Sequence, residues 1–220
     1  MRSSALDPDP SVLVAESKGP ALSRLLSASE LTVITLLTPV VLLIHGYHPF
    51  ADDAGIYVAG IRKMLDPRLF TVDADFVTAH TRFSVFSHIF AVSLRLFHIP
   101  LELSLIAAYL LSIFAFLLGC VQLAQRIFSD DVQLQWGTTL LAATLFTLPV
   151  AATALWIMDP YVTARSFSTP FSLFAIAACM DRAWLRTILW LLLAAIMHPL
   201  MAAYLAAFLL AYAVISQKHW

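Results

Sequence analysis

The 220 residues are 60% hydrophobic and 12% charged, with a mean hydropathy of +0.84 and a formal net charge of −1. Soluble domains carry about 45–50% apolar and about 25% charged residues, so this chain has too little charge to cover a water-facing surface, and its solvent is largely lipid. The balanced charge and the lack of any basic run argue against a nucleic-acid partner, and the two cysteines, Cys120 and Cys179, lie in apolar runs and imply no disulfide framework.

Residues 1–29 are polar and carry a DPDP run at 7–10, which reads as a flexible tail with a short amphipathic turn at Ala21–Leu26. The first apolar run starts only at Leu31, and with no clear cleavage site the pattern suggests an uncleaved signal anchor. Residues 30–220 read as a transmembrane domain. Leu31–Tyr47 is its first span, with Pro39 expected to kink it.

Residues 48–82 form a charged loop, expected to be extracytoplasmic, that holds five Asp (52, 53, 66, 73 and 75) and four bases (Arg62, Lys63, Arg68 and Arg82). Within it, Asp52 or Asp53 can N-cap an interfacial helix to about Leu65, with Ile56, Tyr57, Ile61, Met64 and Leu65 as its apolar stripe. Asp66-Pro67 ends that helix.

Phe83–Ile99 carries His88, Arg95 and His98 and fits either a second span or a partly inserted segment of the loop. Leu103–Gln125 and Val132–Met158 are uncharged runs of 23 and 27 residues, long enough to cross and cross back. Asp159–Arg165, DPYVTAR, is a polar junction, and Phe167–Met180 is a further apolar segment closed by Asp181-Arg182. Thr187–Gln217 has 31 residues without a formal charge. One helix of that length would run roughly 46 Å, so two short helices meeting at His198-Pro199 suit a ~30 Å core better. The fold expected is an all-α, polytopic transmembrane helical bundle with six or seven membrane segments.

Basic residues do not decide orientation, dividing seven against six between the two sides. The short loops at 126–131 and 181–186 look cytoplasmic. That gathers the Asp loop, Asp159–Arg165 and His198 on the opposite face.

Three groups there can carry chemistry. Asp52 and Asp53 can bind a divalent cation such as Mg or Mn, or supply a general base, and equally can cap the helix that follows. His48 and His80 flank the acidic loop, and His48 can join a metal site with Asp52 and Asp53, although no HxxxH or HExxH spacing supports it. Asp159 and Arg165 can simply end helices, or Arg165 can clamp a phosphate, helped by Ser166 and Ser168. His198 is an ionisable group inside an uncharged run, either functional or a turn residue whose imidazole bonds a free carbonyl. Glu102 and Arg95 read as helix-end or snorkelling residues. Soluble-type nucleotide and hydrolase motifs (GxGxxG, P-loop, GxSxG) are absent from the sequence.

In layout, Leu31 to Ile215 resembles the N-terminal module of GT-C-type membrane glycosyltransferases, the superfamily of the protein O-mannosyltransferases and aminoarabinose transferases. The match rests on HPFADDAGIYVAGIRKML after a first span, on MDPYVTARSFSTP at an external junction and on AAIMHPLMAAY between two short segments. The junction's Asp precedes its Arg, unlike the family's usual order. The whole chain is also similar to uncharacterised bacterial integral membrane proteins of this type.

The resemblance implies a bacterial inner-membrane enzyme transferring sugar from a polyprenyl-phosphate donor at the extracytoplasmic face. It implies Asp53 or Asp52 as base or metal ligand and Arg165 on the lipid phosphate, with Asp159 and His198 beside the substrate. Family members continue with more spans and often a soluble domain, which implies a partner subunit or a C-terminal part beyond Trp220. Two other classes stay open: a transporter or channel subunit lined by Asp52, Asp53, Arg165 and His198, and a non-catalytic assembly or lipid-binding subunit.

Overall fold

A computed structural model describes residues 26–217 apart from 152 and 154. The expected tail and its amphipathic turn therefore lie outside the described residues, save for Leu26–Ser29. The described residues are helical, with no strand, and three of their helices are long and apolar enough to cross a membrane.

The first of these, α1 (Ala28–His45), starts three residues before the apolar run because Ser27 and Glu30 cap it reciprocally. Glu30 N–H donates to Ser27 Oγ at 3.2 Å and Ser27 N–H donates to the Glu30 carboxylate at 2.7 Å. The charged loop folds as α2 (Ala54–Leu65), α3 (Ala74–Thr78) and a 3₁₀ turn (Ala79–Arg82). α2 ends at Asp66-Pro67 as its sequence dictates, and Lys63 Nζ closes the turn by donating to the Pro67 and Leu69 carbonyls at 2.6 and 2.7 Å.

The doubtful segment 83–99 resolves into α4 (Phe86–Phe97), 12 residues or roughly 18 Å, too short to cross alone. It packs against α2 and so belongs with the loop. Its residue Arg95 donates to the Met64 carbonyl, and Arg62 approaches Glu102 at 3.5 Å, helix-end roles for both Arg95 and Glu102.

The long helix α5 (Leu101–Ile127) is the axis of the main core: Leu105, Tyr109, Ile113, Phe116, Leu117 and Val121 are buried along it, against α1, α6 and α7. The expected crossing at Val132–Met158 is not a continuous helix. α6 (Val132–Thr144) stops after 13 residues, and the chain then doubles back. Met158 N–H donates to Phe146 O at 2.9 Å, Ile157 N–H to Leu148 O at 3.0 Å and Val150 N–H to Leu155 O at 2.8 Å. Pro149 has no N–H to continue a helix, and the hairpin-like pairing satisfies the backbone groups that the broken helix leaves.

α7 (Ala164–Met180), α8 (Trp184–Met197) and α9 (Pro199–Gln217) complete the chain. The break at His198-Pro199 falls where the length of the apolar run demanded one. Small residues (Ala175, Cys179, Ala194 and Ala202) let α7, α8 and α9 approach closely in a second core with Leu205 and Leu209. Large apolar side chains point outward instead: Leu43 is 83% exposed and Leu185 72%. Such surfaces suit hydrocarbon rather than water.

Polar residues mark two ends of this arrangement. Arg165 in the first turn of α7 pairs with Asp159, while Asp181 at its far end accepts from Arg126 Nε and Nη2 at 2.9 and 2.6 Å. At ~1.5 Å per residue the two pairs lie about 24 Å apart along α7. Nearby at the second end, Gln125 Nε2 donates to Glu30 at 2.9 Å.

α5 and α7 touch where a glycine allows it, since a Cβ at Gly119 would lie 2.8 Å from Leu173 Cβ. Gly119→Ala is expected to cost about 1–3 kcal/mol, and Gly119→Val more, because Leu173 must leave its place in a packed core. Thermal unfolding of the detergent-solubilised protein measures this as a lowered midpoint, larger for Val than for Ala.

Candidate functional site

The site is built from three chain breaks at one end of the bundle: after α1, before α7 and between α8 and α9. Gly46 ends α1 with φ at +76°, a left-handed conformation that a side chain would strain, and its N–H donates to Leu42 O at 2.9 Å. His48 N–H then donates to Pro160 O at 2.8 Å, tying the Asp loop to the junction before α7. Tyr109 of α5 reaches Gly46 O at 3.4 Å, and Tyr47 stacks on Tyr109 with centroids 5.0 Å apart.

Asp52 and Asp53 follow in a tight turn, with Asp52 at φ +46°, where Asp is among the more tolerant side chains. Both are exposed, and Asp53 makes no side-chain hydrogen bond to α2 although it holds the N-cap position. Their capping role is therefore not what the fold uses them for. Their charge still favours the positive end of α2.

Asp159 is buried, its side chain 2% exposed, and it receives both Nε and Nη2 of Arg165. This fork leaves Arg165 Nη1 outside the pair. Burial pushes the Asp159 carboxyl above its ordinary range, with Arg165 pulling down and Asp53 and Asp52 pushing up. The acidic loop and the buried pair thus feel one another's field.

Two tyrosines share that field. Burial chiefly, then Asp53 and Asp159, raise the Tyr57 hydroxyl against the lowering effect of Arg165. Tyr161 is likewise raised by burial, Asp159, Asp52 and Asp53. Tyr57 sits between His80, 4.4 Å away by centroid, and Phe86, 5.3 Å away and edge-on. Neither tyrosine stood out in the sequence: Tyr57 belongs to the apolar stripe of α2, and Tyr161 lies in a junction read for its charges.

His198 also faces this end, since burial and then Arg165 lower its imidazole. Its Nδ1 accepts from Met201 N–H at 3.4 Å, and a hydrogen bond to its own backbone works against the lowering. Ser166 is committed to local structure, accepting from Thr163 N–H at 3.0 Å and donating to Tyr161 O at 3.3 Å. Ser168 is fully buried one turn past Arg165, and its Oγ has no hydrogen-bond partner. The other unpartnered buried atoms include Tyr47 Oη and His80 Nε2.

The proposed cation site fares differently. Among the described residues no three His, Cys, Asp or Glu side chains gather closely enough to hold a metal ion, and so His48, Asp52 and Asp53 do not form a ligand set. His48 turns toward Gly46, where its Nε2 would lie 3.2 Å from an added Cβ. A Mg ion usually keeps several waters and is held by one or two carboxylates together with substrate phosphates, so Asp52 and Asp53 would act as such a pair and not as a cage built by the protein alone.

Removing one half of the buried fork strands a charge, whereas removing both does not. Asp159→Leu and Arg165→Met singly are each expected to cost about 3–5 kcal/mol, with the double variant recovering most of that loss. Thermal unfolding of all four proteins in one detergent closes the cycle.

No family model matches the chain, and no curated protein or solved structure is significantly similar to it.

Proposed function

We propose that this chain is a GT-C-like polytopic protein of the bacterial inner membrane, with six membrane segments, that transfers sugar from a polyprenyl-phosphate donor at its extracytoplasmic face. The observation that carries the reading is the placement of exposed carboxylates, Asp52 and Asp53, in the field of a buried Asp159–Arg165 fork at one end of an apolar bundle. A base and an anion-binding guanidinium at one membrane boundary are what transfer from a lipid phosphate requires.

In this reading Asp53 or Asp52 takes the proton of an acceptor hydroxyl, whose oxygen attacks the anomeric carbon as the bond to the lipid phosphate breaks. Arg165, oriented by Asp159, offsets the charge that develops on the departing phosphate. Preorganisation is the point of the fork: a guanidinium already fixed loses little freedom when the phosphate arrives. His198 borders the phosphate side, and the half-buried Tyr57 offers a flat wall to a sugar, with Tyr161 buried behind it.

A second reading, cation or proton transport, draws on one observation. Asp52, Asp53 and Asp159 outnumber Arg165, and Asp159 is shifted upward, as suits a carboxyl that carries a proton.

Native mass spectrometry of the purified protein beside an Asp52→Asn/Asp53→Asn variant separates the two. The transferase reading expects a polyprenyl-phosphate lipid on the wild type and its sugar-bearing form retained several-fold more often on the variant. Bulk phospholipid alone on both proteins would sink it, and solute flux into proteoliposomes that is lost in the variant would establish transport instead.

A further inference from the structure

The two helices that meet at His198-Pro199 are secured in different ways. The last carbonyls of α8 are held from outside, with Val85 N–H donating to Ile196 O at 3.0 Å and Ser84 Oγ to Met197 O at 2.6 Å. The start of α9 depends on its own sequence. Pro199 takes the first position, where no N–H is required. Ala202 N–H reaches His198 O at 3.1 Å, and Met201 N–H donates to His198 Nδ1 at 3.4 Å. That is the geometry of an N-cap, the side chain accepting from the third helical residue.

A histidine can fill this role only while Nδ1 is unprotonated, so the capping ring is neutral and carries its hydrogen on Nε2. Protonation acts against the cap in three ways. It sets two donors, Nδ1–H and Met201 N–H, against each other. It places a positive charge at the positive end of a 19-residue helix. It also opposes Arg165, the charged group facing the ring from α7. Arg165 is itself paired with Asp159, whose carboxylate is engaged by its Nε and Nη2, while Ser84 and Val85, residues 194–197 of α8 and residues 199–205 of α9 carry no charge.

We propose that His198 is a pH-sensitive N-cap that holds the first turn of α9 when neutral and releases it when protonated. The end of α8 stays anchored through Ser84 and Val85, so release acts on α9 alone. The sign is set by a base whose folded form is harder to protonate. Burial and then Arg165 outweigh an opposing hydrogen bond to its own backbone and hold its titration below the ordinary value of about 6.5, so the cap is fully present above that pH and is lost as the pH falls.

Hydrogen exchange of the full chain in detergent, followed by mass spectrometry over the first two turns of α9 at pH 7.5 and 5.0, tests this. After correction for intrinsic rates, the wild type is expected to exchange roughly fivefold faster at pH 5.0, the loss of one N-cap. His198→Asn, which caps without titrating, should remain protected at both values, and His198→Ala should be fast at both. A wild type whose corrected protection does not change with pH would overturn the proposal. So would a His198→Asn variant that accelerates as the wild type does, since the response would then belong to Asp159 or another group.

Discussion

The arrangement at the polar end depends on one buried ion pair. Asp159 and Arg165 stand six residues apart across a non-helical junction, and their fork fixes the angle at which the chain enters α7. Two charges withdrawn from water cost several kcal/mol each, so the pair contributes little net stability. What it supplies is position. The guanidinium cannot wander, and the backbone at Pro160 is held where it can accept from His48. The Asp loop is thereby set against the same junction, and Tyr161 comes to lie in the field of all three carboxylates, Tyr57 in that of Asp53 and Asp159.

Much of this was legible where residues act locally. Asp66-Pro67 ends α2 because the residue before proline is pushed out of the helical region, a property of two adjacent residues. The break at His198-Pro199 follows from simple length, since 31 uncharged residues in one rod overrun a bilayer of about 30 Å. The gathering of the Asp loop, Asp159–Arg165 and His198 at one end followed from counting crossings, and the shared electrostatics agree with it.

What the sequence concealed was contact and backbone. Hydrophobicity alone marked Val132–Met158 as one crossing, yet it carries no information about where a helix stops. The doubling-back after Thr144 depends on hydrogen bonds between Phe146 and Met158 that no local pattern announces. The same blindness applied to α4, whose apolar face serves α2 rather than lipid alone. Asp53 looked like a cap and makes no capping bond, because its helical backbone angles are not those from which a side chain turns back on the helix. Tyr57 was hidden by its own stripe: spacing shows which face is apolar but not which hydroxyl on that face meets a charge.

The spacing of the two ion pairs along α7 has a consequence for what neutralises its ends. Two charged forks about 24 Å apart close the two ends of a helix that is covered by α5, α8 and α9, so each charge finds its counter-ion inside the protein and neither end of α7 depends on lipid headgroups or solvent for neutralisation.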